Sequence, residues 1–305
     1  MPRKATTARP DTYAAITDRI IAALDQGTVP WRQPWRSRGL RNAISGRSYR
    51  GINLLLLGLT ALEGGFDDPR WLTYRQAQAK GGHVRRGERG TQIVLWKWID
   101  RSDADTGETQ QHYPLLRLFT VFNITQCDDV ALPAYDEGGS QDPLAEADAI
   151  VAGYAGGPPV VHDADSAYYI PSRDEVHLPP RESFRDVQGY YATLFHELAH
   201  STGHQSRLNR EGYQSAARFG SEMYSREELV AEFTAAFLGQ EAGTDPSRVE
   251  QSVAYIASWL KALRDDRRLV VIAAGQAQRA ADHILGRGPE VAEVAAADED
   301  PALAV

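Results

Sequence analysis

The chain has 305 residues, 42% of them hydrophobic and 24% charged, an ordinary globular balance that excludes wholesale disorder and leaves room for about two domains of roughly 100–200 residues. The formal charge of −8 conceals a split: residues 1–127 carry 19 Lys and Arg against 11 Asp and Glu, whereas residues 128–305 carry 14 against 30. No apolar run approaches the ~20 residues of a membrane span, no apolar stretch follows the basic start MPRKATTARP, and the single Cys127 excludes an internal disulfide or a multi-cysteine zinc site. A reducing cytoplasm, with neither membrane nor secretory signal, is the expected setting.

In chain order, Asp11 caps a first helix carrying Tyr13, Ile16, Ile20 and Leu24 at helical spacing, with Gly27 after it. A proline-broken stretch follows, from Val29 to Arg50. Gly51 to Leu62 reads as a buried helix closed by Gly64-Gly65, and Thr73 to Lys80 as a short third helix. Thr91 to Trp98 and Leu115 to Ile124 alternate and are rich in β-formers, which predicts a long hairpin around an acidic turn at Gly107. Residues 128–142, acidic with Pro and paired Gly, are the best linker. Pro143 to Ala155 is a further helix, followed by short strands near Val160, at 167–170 and at 175–178. Beyond Pro179-Pro180 the chain reads as helical almost to residue 285, and 286–305 as a disordered tail. The expected fold class is α+β in two domains: 1–127, α+β and nucleic-acid binding, and 143–285, mainly helical with a small sheet.

Residues 196–200 read His-Glu-Leu-Ala-His. On a helix, positions four apart share a face, so His196 and His200 can address one ion, and Glu197 can serve as general base toward a water beside it. With Ser183 to Thr202 placed on one helix, Val187, Tyr191, Leu194 and Leu198 fall opposite the histidines, so the apolar face turns away from them. Gly203 offers a left-handed stop. A third ligand is required. Glu228 is the best donor, with Glu232 one turn on to orient a ligand histidine; but Ser225 and Glu228 also have capping-box spacing, and His204 is a rival ligand. The segment 167–178 reads as a hairpin whose edge could bind an extended peptide.

The basic half holds six arginines between Trp31 and Arg50 and no acidic residue. Trp31, Arg32, Trp35, Arg36, Arg41, Asn42, Arg47, Tyr49, Arg50 and Asn53, together with Arg85, Arg86, Arg89 and Lys97, are the candidate DNA contacts. Arginines neutralise phosphates, and aromatic faces stack on unpaired bases for about 1–3 kcal/mol each. Interleaving the two suits single-stranded DNA, and no duplex-reading helix is evident. Trp31 and Trp35 are expected to be exposed. Trp96 and Trp98 share one strand face.

The chain resembles the ArdC-type antirestriction proteins of conjugative plasmids, whose N-terminal domain in turn resembles part of TraC-type primases. The segments that carry this are Val29-Pro-Trp-Arg-Gln-Pro-Trp35, Arg41-Asn-Ala43, Ser48-Tyr-Arg-Gly-Ile-Asn53, Trp71-Leu-Thr-Tyr74, Gly87-Glu-Arg-Gly90, Tyr168-Tyr-Ile-Pro171, Leu178-Pro-Pro180, His196 to His204 with Arg207-Leu-Asn-Arg210, and Glu227 to Leu238, in order over residues 10–285. The resemblance implies a single-stranded-DNA-binding domain, a zincin-like metallopeptidase domain of the gluzincin kind, and a role in shielding incoming plasmid DNA. It also implies one Zn2+ held by His196, His200 and Glu228, with Glu197 as the catalytic-type glutamate. Ser201 replaces the aromatic residue often found after the second histidine. Three functions compete: a DNA-binding antirestriction protein, an active peptidase cutting a DNA-associated protein, and a binding module with a structural metal.

Overall fold

A computed structural model describes residues 11–32, 39–102, 109–135, 142–210, 222–244 and 253–288. The tail from 289 and the acidic turn around Gly107 lie outside them. Helix α1 (Thr12–Asp25) starts at Asp11, whose carboxylate accepts from the Tyr13 and Ala14 amides, and it buries Ile16, Ile20, Ile21 and Leu24. Gly27, at φ 77°, supplies the positive φ that turns the chain away after its last turn. A single 3-10 turn, Pro30–Arg32, leads out of this region. Helix α2 (Ile52–Gly64) is apolar nearly all round and buried, and Gly65 caps it in the left-handed conformation.

Strands β1 (Arg41–Asn42), β2 (Arg70–Thr73), β4 (Thr91–Ser102) and β5 (Thr109–Asn123) form a sheet in the order β1-β2-β5-β4. β4 and β5 make the expected hairpin, paired from Thr91↔Val121 through Val94↔Leu118 to Trp98↔Pro114. Between β2 and β4, a capping box of Thr73 and Gln76 opens α3 (Tyr74–Ala79). Strands β3 (His83–Val84) and β6 (Cys127–Asp128) pair as a separate ribbon.

The second half begins with α4 (Pro143–Gly153), capped by Asp142. Strands β7 (Val160–Val161), β8 (Tyr168–Ile170) and β9 (Glu175–His177) form a sheet with β9 in the middle, so β8 is an edge. Helix α5 (Val187–Ser201) begins later than the expected Ser183, because residues 181–183 make a 3-10 turn and Asp186 is the cap, accepting from the Gly189 amide at 2.8 Å. Its end corrects a second expectation. Thr202 caps α5 in a right-handed conformation, and the positive φ falls at Asn209 (45°), not at Gly203.

Helices α6 (Glu222–Ala242), α7 (Val253–Asp265) and α8 (Leu269–Ile284) are the last elements among the described residues, with α6 packed on both α5 and α8. One apolar cluster runs from Ile16 in α1 to Ile284 in α8 and includes Trp31, Phe195, Phe233 and Trp259. The two halves are therefore sewn together by α1, which lies against α7 and α8, with the Thr17 hydroxyl donating to the Arg267 carbonyl at 2.6 Å. No helix among the described residues is long and apolar enough to cross a membrane.

Candidate metal centre

Helix α5 buries Tyr191, Leu194, Phe195 and Leu198, which leaves His196 and His200 half-buried on its other side. α6 crosses that side and presents Glu228. The Nε2 atoms of the two histidines lie 3.1 Å apart, and the Glu228 carboxylate reaches each at 3.5 Å. These three residues are the one group of metal-capable side chains found among the described residues. Donor atoms placed ~2.0–2.2 Å from a tetrahedral ion are separated by about 3.3–3.6 Å, and the two imidazole nitrogens, each with a different Glu228 oxygen beside it, are spaced on that scale. Acceptor atoms this close repel unless a proton or a metal cation lies among them. The chemistry of the donor set, two imidazoles and a carboxylate, fits a divalent ion.

The surrounding carboxylates make the site anionic. Burial by itself would lower the His196 pKa, but the hydrogen bond to Glu228 and the charges of Glu228, Glu232 and Glu197 outweigh it and raise it to about 9. Burial would raise the Glu228 pKa. His196, His200 and a hydrogen bond from Tyr224 reverse that and lower it to about 2. Glu197, next to the first histidine, is buried at this face.

Ser225 lies inside α6 and hydrogen-bonds Ser258 at 2.6 Å, so Glu228 is not closing a helix terminus. His204 turns to Ser206, its Nδ1 2.7 Å from the hydroxyl, and is not part of this group.

Behind each histidine stands a carboxylate. Glu232 lies 3.6 Å from His196 Nδ1, as its spacing from Glu228 suggests. Glu227, which helix spacing alone does not single out, lies 3.5 Å from His200 Nδ1. Both are gripped by arginine forks. Arg210 holds Glu227 through Nε at 3.1 Å and through Nη2, and also donates to the Ala199 carbonyl at 3.1 Å. Glu227 is held below the usual carboxylate range: burial opposes this, and His200 and Arg210 outweigh it. Arg32 holds Glu232 through Nε at 2.8 Å and through Nη2. A carboxylate adjacent to Glu228 on α6 is the signal that could have revealed Glu227.

Several candidate DNA contacts take other places. Trp31 is not exposed: it is 1% accessible, wedged edge-on between Phe233 at 4.8 Å and Trp259 at 5.2 Å. Arg32 is buried against Glu232. Asn53 is buried too, its side chain donating to the Val94 carbonyl and accepting from the Val94 amide, both at 2.7 Å, which clips α2 to β4. Residues that look like nucleic-acid contacts in a basic stretch are here consumed by the core and by buried acids.

Arg50 pairs with Asp282 of α8, and Tyr49 packs against the core. Asn42 shapes its own turn by accepting from the Ile44 and Ser45 amides, and Arg41 donates to the Gly39 carbonyl. Arg47, Arg85, Arg86 and Arg89 are exposed, Arg85 with Glu88 and Asp128 as partners. Trp35 and Arg36 lie outside the described residues, as do the side chains of Trp96, Lys97 and Trp98.

An HExxH helix with a glutamate from the following helix is the donor arrangement of a zincin-like metallopeptidase domain, and residues 145–276 match the family described as zincin-like metallopeptidase. Residues 10–122 match the N-terminal domain of anti-restriction factor ArdC. The solved antirestriction ArdC protein of plasmid R388 in its metal-free form is 44% identical with a TM-score of 0.75, covering 90% of this chain and 97% of that one. Its Mn(II)-bound form gives 42% and 0.74 over the same shares. An uncharacterized protein, y4eC, of Sinorhizobium fredii is 38% identical, over 89% of this chain and 91% of its own length. DNA primase TraC of Escherichia coli is also 38% identical, but the chain spans only 27% of it. The chain belongs to the ArdC family of antirestriction proteins.

Proposed function

We propose that this protein is an antirestriction protein that binds single-stranded DNA through its basic half and holds one Zn2+ per chain on His196, His200 and Glu228, protecting incoming plasmid DNA. The observation that carries the metal reading is the convergence of two Nε2 atoms, 3.1 Å apart, on the Glu228 carboxylate, one of whose oxygens lies 3.5 Å from each. The Mn(II)-bound R388 structure supports a divalent ion at the equivalent fold. The net basic character of residues 1–127 and the accessible Arg47, Arg85, Arg86 and Arg89 support the nucleic-acid reading.

A second reading, that the centre is an active peptidase acting on a DNA-associated protein, is favoured by the edge strand β8. This strand packs beside α5 and leaves Tyr168 exposed, so an extended peptide could add to it. Zn2+ in such a donor set supplies Lewis acidity toward a peptide carbonyl. Glu197 takes a proton from the attacking water and returns it to the departing amine.

Metal content and oligonucleotide affinity of the wild type and Glu197→Gln, measured together, test both readings. The expected result is about one zinc per chain in each, none in His200→Ala, and tighter binding of single strands than of duplex. Loss of a biological or proteolytic effect in Glu197→Gln with metal retained assigns chemistry to the centre, and an unchanged effect assigns it a structural part. A wild type that takes up no divalent metal overturns the metal reading.

A further inference from the structure

The two histidines are backed by similar carboxylate–arginine pairs of different origin. Behind His200, both Glu227 and Arg210 come from the zincin-like half. Behind His196, Glu232 is on α6 but Arg32 comes from the other half, 200 residues away in sequence, on the 3-10 turn that follows α1. The side chains of Arg32 and Glu232 are 8% and 10% exposed, so water contributes little to holding either. Arg32 reaches this position because Trp31, its neighbour, is locked between Phe233 of α6 and Trp259 of α7, and the Arg32 guanidinium itself lies 5.7 Å from the Trp259 ring.

We propose that Arg32 is a positioning residue of the metal centre, fixing the Glu232 carboxylate against the Nδ1 side of His196, and not a nucleic-acid contact; this rests on the reading of His196, His200 and Glu228 as a divalent-metal site. A ligand imidazole needs its Nε2 lone pair aimed at the ion, and a carboxylate at the other nitrogen fixes both the tautomer and the ring plane. A carboxylate can do this only if it is itself held. A two-pronged guanidinium sets its plane as well as its place, which a lysine ammonium cannot. The consequence is that the site in the acidic half is completed by the basic half.

The test compares zinc affinity, read by competition with a chromophoric chelator, in the wild type, Arg32→Ala, Arg32→Lys, Glu232→Ala and the Arg32→Ala/Glu232→Ala double variant. Single-stranded oligonucleotide affinity is measured over a salt series on the same proteins. Loss of an outer partner of a metal ligand typically weakens metal binding by about 10–100-fold. Arg32→Ala and Glu232→Ala are each expected to fall in that range, with Arg32→Lys between Arg32→Ala and the wild type. The Co2+-substituted visible spectrum is expected to shift in both alanine variants, and oligonucleotide affinity and its salt slope to stay at wild-type values.

The double variant removes the unpaired buried charge that could unfold Arg32→Ala, so it separates folding from positioning. Its zinc affinity is expected to stay within about threefold of Glu232→Ala alone, because the two residues act in series. Wild-type zinc affinity in the double variant, or an oligonucleotide affinity and salt slope that fall in Arg32→Ala with zinc binding intact, overturns the assignment alone. A wild type that binds no zinc overturns the metal reading, and the assignment with it.

Discussion

The acidic half concentrates its charge and the basic half disperses it. Around one point in the C-terminal half stand Glu197, Glu227, Glu228 and Glu232 with two histidines, compensated by Arg210 and by Arg32 from across the molecule. In the N-terminal half several arginines are tied off one at a time: Arg19 to Glu63, Arg70 to Asp68, Arg85 to Glu88, Arg50 to Asp282. Concentrated buried charge makes each member depend on the others, because an unpaired buried ion is costly. Dispersed pairs are nearly independent, and the exposed ones among them, such as Arg85 with Glu88, are individually weak. The two halves should therefore answer mutation differently, and the places where they meet should answer most strongly.

The largest expected effect is at the join. Trp31→Ala removes a wholly buried ring between two other aromatics, and large-to-small changes of this kind cost about 3–5 kcal/mol. A loss of that size in urea denaturation would confirm that Trp31 is a keystone of the shared core. A loss below about 1 kcal/mol, with weaker oligonucleotide binding, would return it to the DNA surface.

A smaller, pH-dependent effect is expected at Asp174, which Arg207 ties to the end of α5. Asp174 receives the guanidinium of Arg207 and the Tyr169 hydroxyl, the latter at 2.7 Å. Burial would raise its pKa, but these bonds outweigh it and hold it below the ordinary value of 3.8. The folded state therefore favours the ionised form. That stabilisation is complete above the unfolded carboxyl range and is lost as pH falls through the lowered folded value. Urea midpoints at pH 7 and pH 3 should show the wild type losing more on acidification than Asp174→Asn. Equal losses would mean that the pair contributes nothing through its charge.

The smallest effect belongs to the dispersed half. Replacing Arg86 and Arg89 together by Ala should leave folding unchanged and reduce the salt slope of single-strand binding by about 0.7 for each phosphate no longer neutralised. An unchanged slope would move the DNA-binding surface away from this turn.

Legibility in the sequence followed the same divide. The grouping of His196, His200 and Glu228 was readable because helix periodicity alone puts His196 opposite Tyr191 and Leu194, and puts Glu232 one turn after Glu228. Such a constraint lies within a single element. The β4–β5 hairpin was readable from alternation for the same reason. Trp31 and Arg32 were misread because their surroundings are set by Phe233, Glu232 and Trp259, and nothing near residue 31 announces them. Asn53 was misread likewise: its partner is the backbone of Val94, fixed by the packing of α2 on β4. A local pattern reports what a residue can do. Tertiary neighbours decide which capacity is used.

The docking of α1 on the last two helices has a practical consequence. Arg264 reaches Asp25 at 2.8 Å, Arg267 pairs with Asp18, and the apolar stripe of α1 lies against α7 and α8. A protease that nicked the segment between the two matched regions would therefore not release two free pieces. The fragments would co-migrate on a sizing column until denaturant parted them, and an N-terminal piece expressed by itself would present the greasy flank of its first helix to solvent and tend to clump.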